Sequence, residues 1–133
     1  MEEKEIQTWI KKAIKAREHA YAPYSKFLVG AVLMDETGRE YTGVNVENTS
    51  YGLSSCAERN SIFSAVAQGM KKIALLCVVG DTEEPICPCG ACRQVILEFA
   101  TQDTKIILSN LQGKYEIYSI DDLLPKAFFV KRD

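Results

Sequence analysis

Hydrophobic and polar positions alternate along the chain in two different periods, which predicts a mixture of helices and strands. Residues 3–20 carry apolar side chains at helical spacing and therefore predict an amphipathic first helix. Its apolar positions are Ile6, Trp9, Ile10, Ala13, Ile14 and Ala20. Residues Leu28 to Met34 and Tyr41 to Val46 read as two strands, joined by a turn at Glu36-Thr37-Gly38.

After a polar loop over Asn48 to Ser54, the second half of the chain continues with further predicted helices and strands. Residues Ile73 to Val79 form a continuous apolar run, which is typical of a strand buried on both faces. The other predicted elements are a helix from near Cys56 to Gly69 with the apolar face Ile62, Phe63, Ala65 and Val66, a helix over residues 90–100, strands over Lys105 to Ser109 and Lys114 to Tyr118, and a short helix capped by Ser119 and reaching Leu123. This order predicts an α/β fold in which helices cover a mixed β-sheet of about five strands as a three-layer sandwich.

The composition is that of an ordinary globular domain. The chain has 133 residues, 47% of them hydrophobic and 26% charged, which suits a single domain over residues 1–133. With 16 basic and 18 acidic residues the net charge is −2, which argues against binding to nucleic acid. The longest apolar run, Ile73 to Val79, is far shorter than the roughly 20 residues that span a bilayer. The acidic N-terminus lacks the apolar stretch of a signal peptide, so we expect a cytoplasmic protein.

Five cysteines are the least ordinary feature of the composition. Cys56, Cys77, Cys87, Cys89 and Cys92 are odd in number, and no secretory signal precedes them. This favours thiols used for metal binding or catalysis over a disulfide framework. Cys77 lies in the apolar run and is expected in the core. Cys87 could serve as an alternative ligand near the others, but we leave it out of the predicted metal site.

The two segments Cys56-Ala57-Glu58-Arg59 and Pro88-Cys89-Gly90-Ala91-Cys92 both stand where a loop becomes a helix. Cys89 and Cys92 lie three residues apart, so the first turn of a helix brings both sulfurs to one side. If the two helix starts meet, Cys56 adds a third thiolate. Three protein ligands with an open fourth position are the arrangement of catalytic zinc. Glu58 stands beside this site, where it can take and return a proton.

Charge adds a role for the neighbouring arginine. Three thiolates around Zn²⁺ leave a formal charge of −1, which weakens the metal as a Lewis acid. Arg59 can offset this charge if it donates hydrogen bonds to the ligand sulfurs.

These motifs resemble the zinc-dependent nucleobase deaminases, and in particular the short cytidine deaminases that have three cysteine ligands. The segments that carry the resemblance are Tyr24-Ser25-Lys26-Phe27-Leu28-Val29-Gly30-Ala31, Asn45-Val46-Glu47-Asn48, Cys56-Ala57-Glu58-Arg59, Cys89-Gly90-Ala91-Cys92-Arg93-Gln94 and Leu123-Leu124-Pro125. They extend over nearly the whole chain. The resemblance implies a cytidine-deaminase-like fold and a homotetrameric enzyme of pyrimidine salvage. Its reaction is the hydrolysis of cytidine and deoxycytidine to uridine, deoxyuridine and ammonia.

The resemblance also implies roles for individual residues. One Zn²⁺ per subunit is held by Cys56, Cys89 and Cys92, and Glu58 carries protons to N3 of the base and to the leaving ammonia. The implied substrate-binding residues are Phe27 against the pyrimidine, Asn45 and Glu47 on the sugar hydroxyls, Ala57, and Tyr51 and Phe128 at positions through which neighbouring subunits complete the site.

Three other functions share part of this pattern. A deaminase of a modified cytosine nucleoside such as blasticidin S has the same metal chemistry. A deaminase of single-stranded polynucleotides needs a basic channel, for which a chain of net charge −2 has little material. A non-catalytic zinc module has no use for Glu58 beside an open coordination position, so that residue separates it from the enzymes.

Overall fold

A five-stranded sheet with helices on both faces forms the structure, a computed structural model that describes residues 1–130. The last three positions of the expected domain, 131–133, lie outside the described residues. The elements are α1 Glu3–Arg17, β1 Val29–Asp35, β2 Glu40–Val44, a 3₁₀ helix Tyr51–Leu53, α2 Ala57–Ala67, β3 Ile73–Gly80, α3 Gly90–Phe99, β4 Ala100–Asn110, β5 Tyr115–Tyr118 and α4 Ile120–Leu123. None of the helices within residues 1–130 has both the length and the apolarity needed to cross a bilayer.

The sheet is mixed, as its sequence pattern predicts. Its strands lie in the order β2-β1-β3-β4-β5, and only β3 and β4 run parallel to each other. A parallel pair needs a long crossover connection, and here α3 lies in the connection between β3 and β4. The start of α3 therefore follows the loop that leaves the carboxyl end of β3.

Alternate residues of the central strands face two separate apolar layers. On β3, Leu76 and Val78 pack in the layer beneath α2, α3 and α4, whereas Leu75, Cys77 and Val79 pack in the layer beneath α1. All five side chains are buried, which explains the unbroken apolar run in the sequence. The three-layer α/β sandwich is thus confirmed, and Cys77 is a core residue.

Two boundaries differ from the sequence prediction. The first helix ends at Arg17 rather than near residue 20, because His19 and Ala20 donate to carbonyls only three residues back and form a turn. Strand β4 begins at Ala100, five residues earlier than predicted. Its irregular start pairs Ala100 with Ile73, and the hydroxyl of Thr104 donates to the Ile73 carbonyl at 2.6 Å.

The apolar face predicted for α2 is only half right. Ile62 and Ala65 are buried, but Phe63 is 51% exposed and Val66 41% exposed. In a helix, residues 62 and 65 lie on one stripe, together with Glu58 and Ser61, which are also buried. Phe63 and Val66 lie on the neighbouring stripe, which faces away from the sheet.

The close approach of α2 to β2 depends on Gly43. A Cβ atom at this position would lie 2.4 Å from the backbone nitrogen of Ser61 and 2.5 Å from the carbonyl oxygen of Ala57. Asn60 ties the same two elements together, since its Nδ2 donates to the Val44 carbonyl at 2.7 Å. The absence of a side chain at Gly43 therefore sets how far the first turns of α2 sit from the sheet.

Replacing Gly43 with Ala should destabilise the protein, because the added methyl meets backbone atoms that cannot rotate away. We expect a loss of about 1–3 kcal/mol in the free energy of unfolding, the usual scale of overpacking. Urea unfolding followed by circular dichroism measures it. Gly52→Ala is the matched control, since a Cβ there meets no atom within 4 Å. Equal stability of the two variants would show that α2 is not held this closely.

Candidate functional site

Three cysteine sulfurs meet at the starts of two helices. Cys56 is the residue that precedes α2, Cys89 precedes α3, and Cys92 lies in the first turn of α3. Their Sγ atoms all lie within 4.8 Å of one another, and those of Cys56 and Cys89 are 3.9 Å apart. Residues far apart in sequence are thus brought together as the spacing of the motifs predicts.

The spacing of these sulfurs fits a tetrahedral zinc ion. With Zn–S bonds of about 2.3 Å, neighbouring sulfurs of a tetrahedral site lie about 3.8 Å apart. The start of each helix adds partial positive charge from its free N–H groups, which stabilises thiolate. Thiolates are the donors that zinc prefers in such sites. Cys87 is exposed and does not belong to this cluster of the described residues.

The thiols of Cys56 and Cys92 differ in acidity. Hydrogen bonds from Cys92 and from Arg59 lower the pKa of the Cys56 thiol to about 5. The same hydrogen bond to Cys56, together with burial, raises the pKa of Cys92. Of these two thiols, Cys56 is therefore the one that becomes an anion first, and its negative charge attracts a cation.

Arg59 lies against the cluster from α2. Its Nη2 atom donates to the Cys56 sulfur at 3.5 Å, and this bond to an anionic sulfur raises the pKa of the guanidinium. Its Nε atom is buried and has no hydrogen-bond partner among residues 1–130. The guanidinium thus places a permanent positive charge next to the sulfurs.

Glu58 is the buried carboxyl group of the site. It lies in the first turn of α2 and is only 4% exposed. Burial raises its pKa to about 7, because the charged form loses the stabilisation of water. A carboxyl group with this pKa can both accept and release a proton near neutral pH.

A cavity of about 260 Å³ opens beside the sulfurs and this carboxyl group. Its lining residues are Ser25, Phe27, Val29, Asn45, Glu47, Cys56, Ala57, Glu58, Ile86, Cys87 and Cys89. The predicted base-binding, sugar-binding and catalytic residues of the chain thus share one cavity with two of the three sulfurs. Cys92, the third sulfur, is fully buried and is not one of the lining residues. None of the described lining residues carries a positive charge.

The two residues predicted to bind the sugar are held by the loop that precedes β1. Glu47 Oε1 accepts from the backbone nitrogens of Tyr24 at 2.9 Å and Ser25 at 3.1 Å, and Oε2 accepts from the Ser25 hydroxyl. These hydrogen bonds lower the pKa of the Glu47 carboxyl group, and the bond from the Ser25 hydroxyl has the largest effect. Asn45 Nδ2 donates to the Phe27 carbonyl at 2.7 Å, and its Oδ1 accepts from the Val29 nitrogen at 2.8 Å.

Tyr51 and Phe128 do not line this cavity. Tyr51 is 74% exposed and borders a neighbouring cavity of about 280 Å³, where its ring meets that of Tyr24 edge-on at 5.7 Å. Phe128 is 79% exposed on the segment after α4, and its carbonyl accepts from Gln94 at 2.8 Å. Within one chain these two residues remain apart from the predicted substrate site.

Sequence reasoning missed two residues that shape the cavity. Ser25 binds Glu47, and it also accepts from the Phe27 nitrogen at 3.0 Å. Serine side chains commonly bond to the backbone two residues further along, so the serine itself is a weak signal for such a local turn. Gly80 ends β3 and leaves room for the Phe27 ring, since a Cβ there would lie 3.1 Å from Phe27 Cζ. No pattern in the sequence indicates this second contact.

Known proteins resemble the chain over most of its length. Residues 3–108 match the family model described as the cytidine and deoxycytidylate deaminase zinc-binding region. A protein named cytidine deaminase from Halalkalibacterium halodurans is 50% identical over 92% of both chains, and one from Sporosarcina psychrophila is 48% identical over 93% of this chain and 91% of its own.

A solved structure supports the same relationship. The crystal structure of a cytidine deaminase from Burkholderia pseudomallei superposes with a TM-score of 0.89 at 50% identity, covering 92% of this chain and 98% of the other. Sequence and fold therefore agree with the three-sulfur site. The chain belongs to the cytidine and deoxycytidylate deaminase zinc-binding family.

Proposed function

We propose that this protein is a zinc-dependent hydrolase that converts cytidine and deoxycytidine to uridine and deoxyuridine with release of ammonia, a step of pyrimidine salvage. The observation that carries the proposal is the buried Glu58 carboxyl group, which lines one cavity together with Cys56, Cys89 and Phe27. Relatives at 50% and 48% identity that are named cytidine deaminases support it.

Cys56, Cys89 and Cys92 would hold one Zn²⁺ per chain. The ion, when bound, lowers the pKa of a coordinated water molecule toward 7 and so makes a nucleophile available at neutral pH. Arg59 holds its guanidinium against the Cys56 sulfur and offsets the negative charge of the thiolates.

Glu58 is the proton carrier of the proposed reaction. Its carboxyl group borders the cavity two residues beyond Cys56, so it stands beside the position of the attacking water. It takes a proton from this water and delivers protons to N3 of cytosine and to the departing amino group. In the overall change the C4–N4 bond breaks, a C4–O bond forms, and ammonia leaves.

The remaining lining residues suit an uncharged nucleoside. The Phe27 ring offers an apolar surface to the flat base, and the backbone of Ala57 at the start of α2 allows a close approach, since its side chain is small. Glu47 uses three of its roughly four acceptor positions on described residues, which leaves one for a sugar hydroxyl. Asn45 adds an amide at the same wall of the cavity.

We further infer that each subunit is one catalytic domain over residues 1–133 and that the protein is cytoplasmic. We also infer that it forms a homotetramer whose subunits complete each other's sites. The support for this assembly is a set of exposed large apolar side chains of the kind that mark interaction surfaces. They are Tyr51, Leu53, Phe63, Val66, Phe128, Phe129 and Val130. Tyr51 and Phe128 would reach the cavity of a neighbouring copy.

The purified protein should contain about one zinc per chain and should deaminate cytidine, seen as the loss of cytosine absorbance. A chelator should abolish turnover and added zinc should restore it. Cys89→Ser should lose zinc by metal analysis, whereas Cys87→Ser should keep it because Cys87 stands outside the cluster. Equal zinc in the two variants would contradict the ligand set. A strong preference for blasticidin S over cytidine would favour the modified-nucleoside alternative.

Replacing Glu58 with Gln or Ala should leave zinc bound but lower kcat by roughly 10²-fold or more, the scale of general acid–base catalysis. Steady-state assays on zinc-loaded protein at saturating cytidine measure this loss. Glu40→Gln is the matched control, because that carboxylate forms a surface ion pair with Lys12. If activity survives the loss of the Glu58 carboxyl group, the proposed proton carrier is wrong, and a non-catalytic zinc module becomes the better interpretation.

Cytidine should be a better substrate than cytidine 5′-monophosphate. The described lining has no basic residue, and Glu47 repels a phosphate, so we expect kcat/KM to fall by about tenfold or more. Glu47→Gln should reduce the difference in kcat/KM between cytidine and cytidine 5′-monophosphate, because it removes the negative charge that repels the phosphate. Equal turnover of the two substrates at low ionic strength would refute the argument from charge.

A further inference from the structure

The hydroxyl of Ser25 joins two parts of the candidate substrate site. It donates to Oε2 of Glu47 and accepts from the backbone nitrogen of Phe27 at 3.0 Å. The backbone nitrogen of Ser25 also donates to Oε1 of Glu47 at 3.1 Å. One serine therefore contacts both the residue proposed to bind the sugar and the backbone of the residue proposed to bind the base.

The Phe27 peptide is held on both sides. Ser25 binds its nitrogen, and Asn45 donates to its carbonyl at 2.7 Å. Lys26, which lies between Ser25 and Phe27, adopts a left-handed backbone conformation with φ of 63°, which is unfavourable for a residue with a side chain. Hydrogen bonds on either side compensate this cost and keep the turn in one conformation. The ring is then directed over Gly80 at the end of β3.

We propose that Ser25 is a positioning residue that fixes Glu47 and Phe27 relative to each other, so that the base and the sugar of a nucleoside are bound together. The proposal rests on the proposed function, in which Phe27 contacts the pyrimidine and Glu47 accepts from a sugar hydroxyl. Ser25 acts through these two residues and does not itself take part in the reaction.

Loss of this hydroxyl should weaken binding more than chemistry. Without it Glu47 loses one of three donors and the Phe27 nitrogen loses its acceptor, so the loop over residues 24–27 gains conformations in the free protein. Substrate binding must then restore the order, which costs affinity. The sulfurs and Glu58 lie at the starts of α2 and α3 and keep their own contacts, so the chemical step is left nearly intact.

The experiment compares Ser25→Ala with the wild type on two substrates. For cytidine we expect KM to rise by roughly tenfold, the scale of one hydrogen bond to a charged group, with kcat changed by less than about threefold. For 2′,3′-dideoxycytidine, which lacks the hydroxyls that Glu47 would bind, KM should rise much less. Ser25→Thr, which keeps a hydroxyl, should restore most of the affinity for cytidine.

A double variant tests whether Ser25 acts through Glu47. The KM of Ser25→Ala/Glu47→Gln should be close to that of Glu47→Gln alone, because the two changes disturb one network. Ser64→Ala is the matched control, since that hydroxyl accepts from Gln68 on the exposed side of α2, away from the cavity lining. Melting temperature and zinc content of all variants, together with calorimetric binding of uridine, separate a binding defect from misfolding.

Several outcomes would overturn the inference while cytidine turnover by the wild type stands. These are an unchanged KM in Ser25→Ala, an equal rise for both substrates, a fall in kcat alone, a multiplicative effect in the double variant, or a loss of zinc or folding in Ser25→Ala that Ser25→Thr does not reverse. If the wild type neither deaminates cytidine nor binds uridine, the proposed function itself fails, and Ser25 has no nucleoside to position.

Discussion

The site depends on the meeting of two helix N-termini at one end of the strands of the sheet. Cys56 and Cys89 stand 33 residues apart in the chain, yet their sulfurs approach to 3.9 Å. Two packing constraints produce this. The parallel crossover between β3 and β4 starts α3 beyond the carboxyl end of β3, and Gly43 lets α2 lie directly on β2. Because each helix carries its ligand at its first residues, the position of the helix sets the position of the sulfur.

Two carboxyl groups in the same cavity have opposite environments, and these suit opposite roles. Glu58 is buried, so its pKa is raised to about 7 and it is able to exchange protons. Glu47 accepts hydrogen bonds from Ser25 and from the Tyr24 backbone, so its pKa is lowered and it stays a charged acceptor. One residue type thus serves proton transfer on a helix and substrate recognition on a loop. Burial of Glu58 and the hydrogen-bond donors around Glu47 make the difference.

The surface of the described residues exposes several large apolar side chains. Tyr51 and Leu53 in the 3₁₀ helix and Phe63 on α2 expose large apolar areas, and so does the segment after α4. A sheet that already buries both faces against helices cannot cover these side chains as well. A second copy of the chain would bury them, and in the proposed assembly it would also supply the aromatic side of the substrate site.

Local pattern was enough to predict much of the architecture. The order of helices and strands, the buried β3 and the capping of α4 by Ser119 all follow from periodicity and turn chemistry, which act between near neighbours. Helix ends and strand ends were less predictable. The start of β4 depends on pairing with Ile73, and the exposure of Phe63 depends on how α2 is rotated on the sheet.

For the site, the sequence by itself determined the chemistry, because two cysteine motifs at helix starts with an adjacent glutamate leave few alternatives to a catalytic metal. Only the tertiary structure decided which residues share a cavity. From sequence alone Glu47 would be taken for a solvated surface charge, but in the structure its carboxylate accepts three hydrogen bonds. The structure also brings Phe27 into contact with Ser25, Asn45 and Gly80. These contacts join segments that are distant in sequence, and their distances are set by the packing of whole elements, which no local pattern encodes.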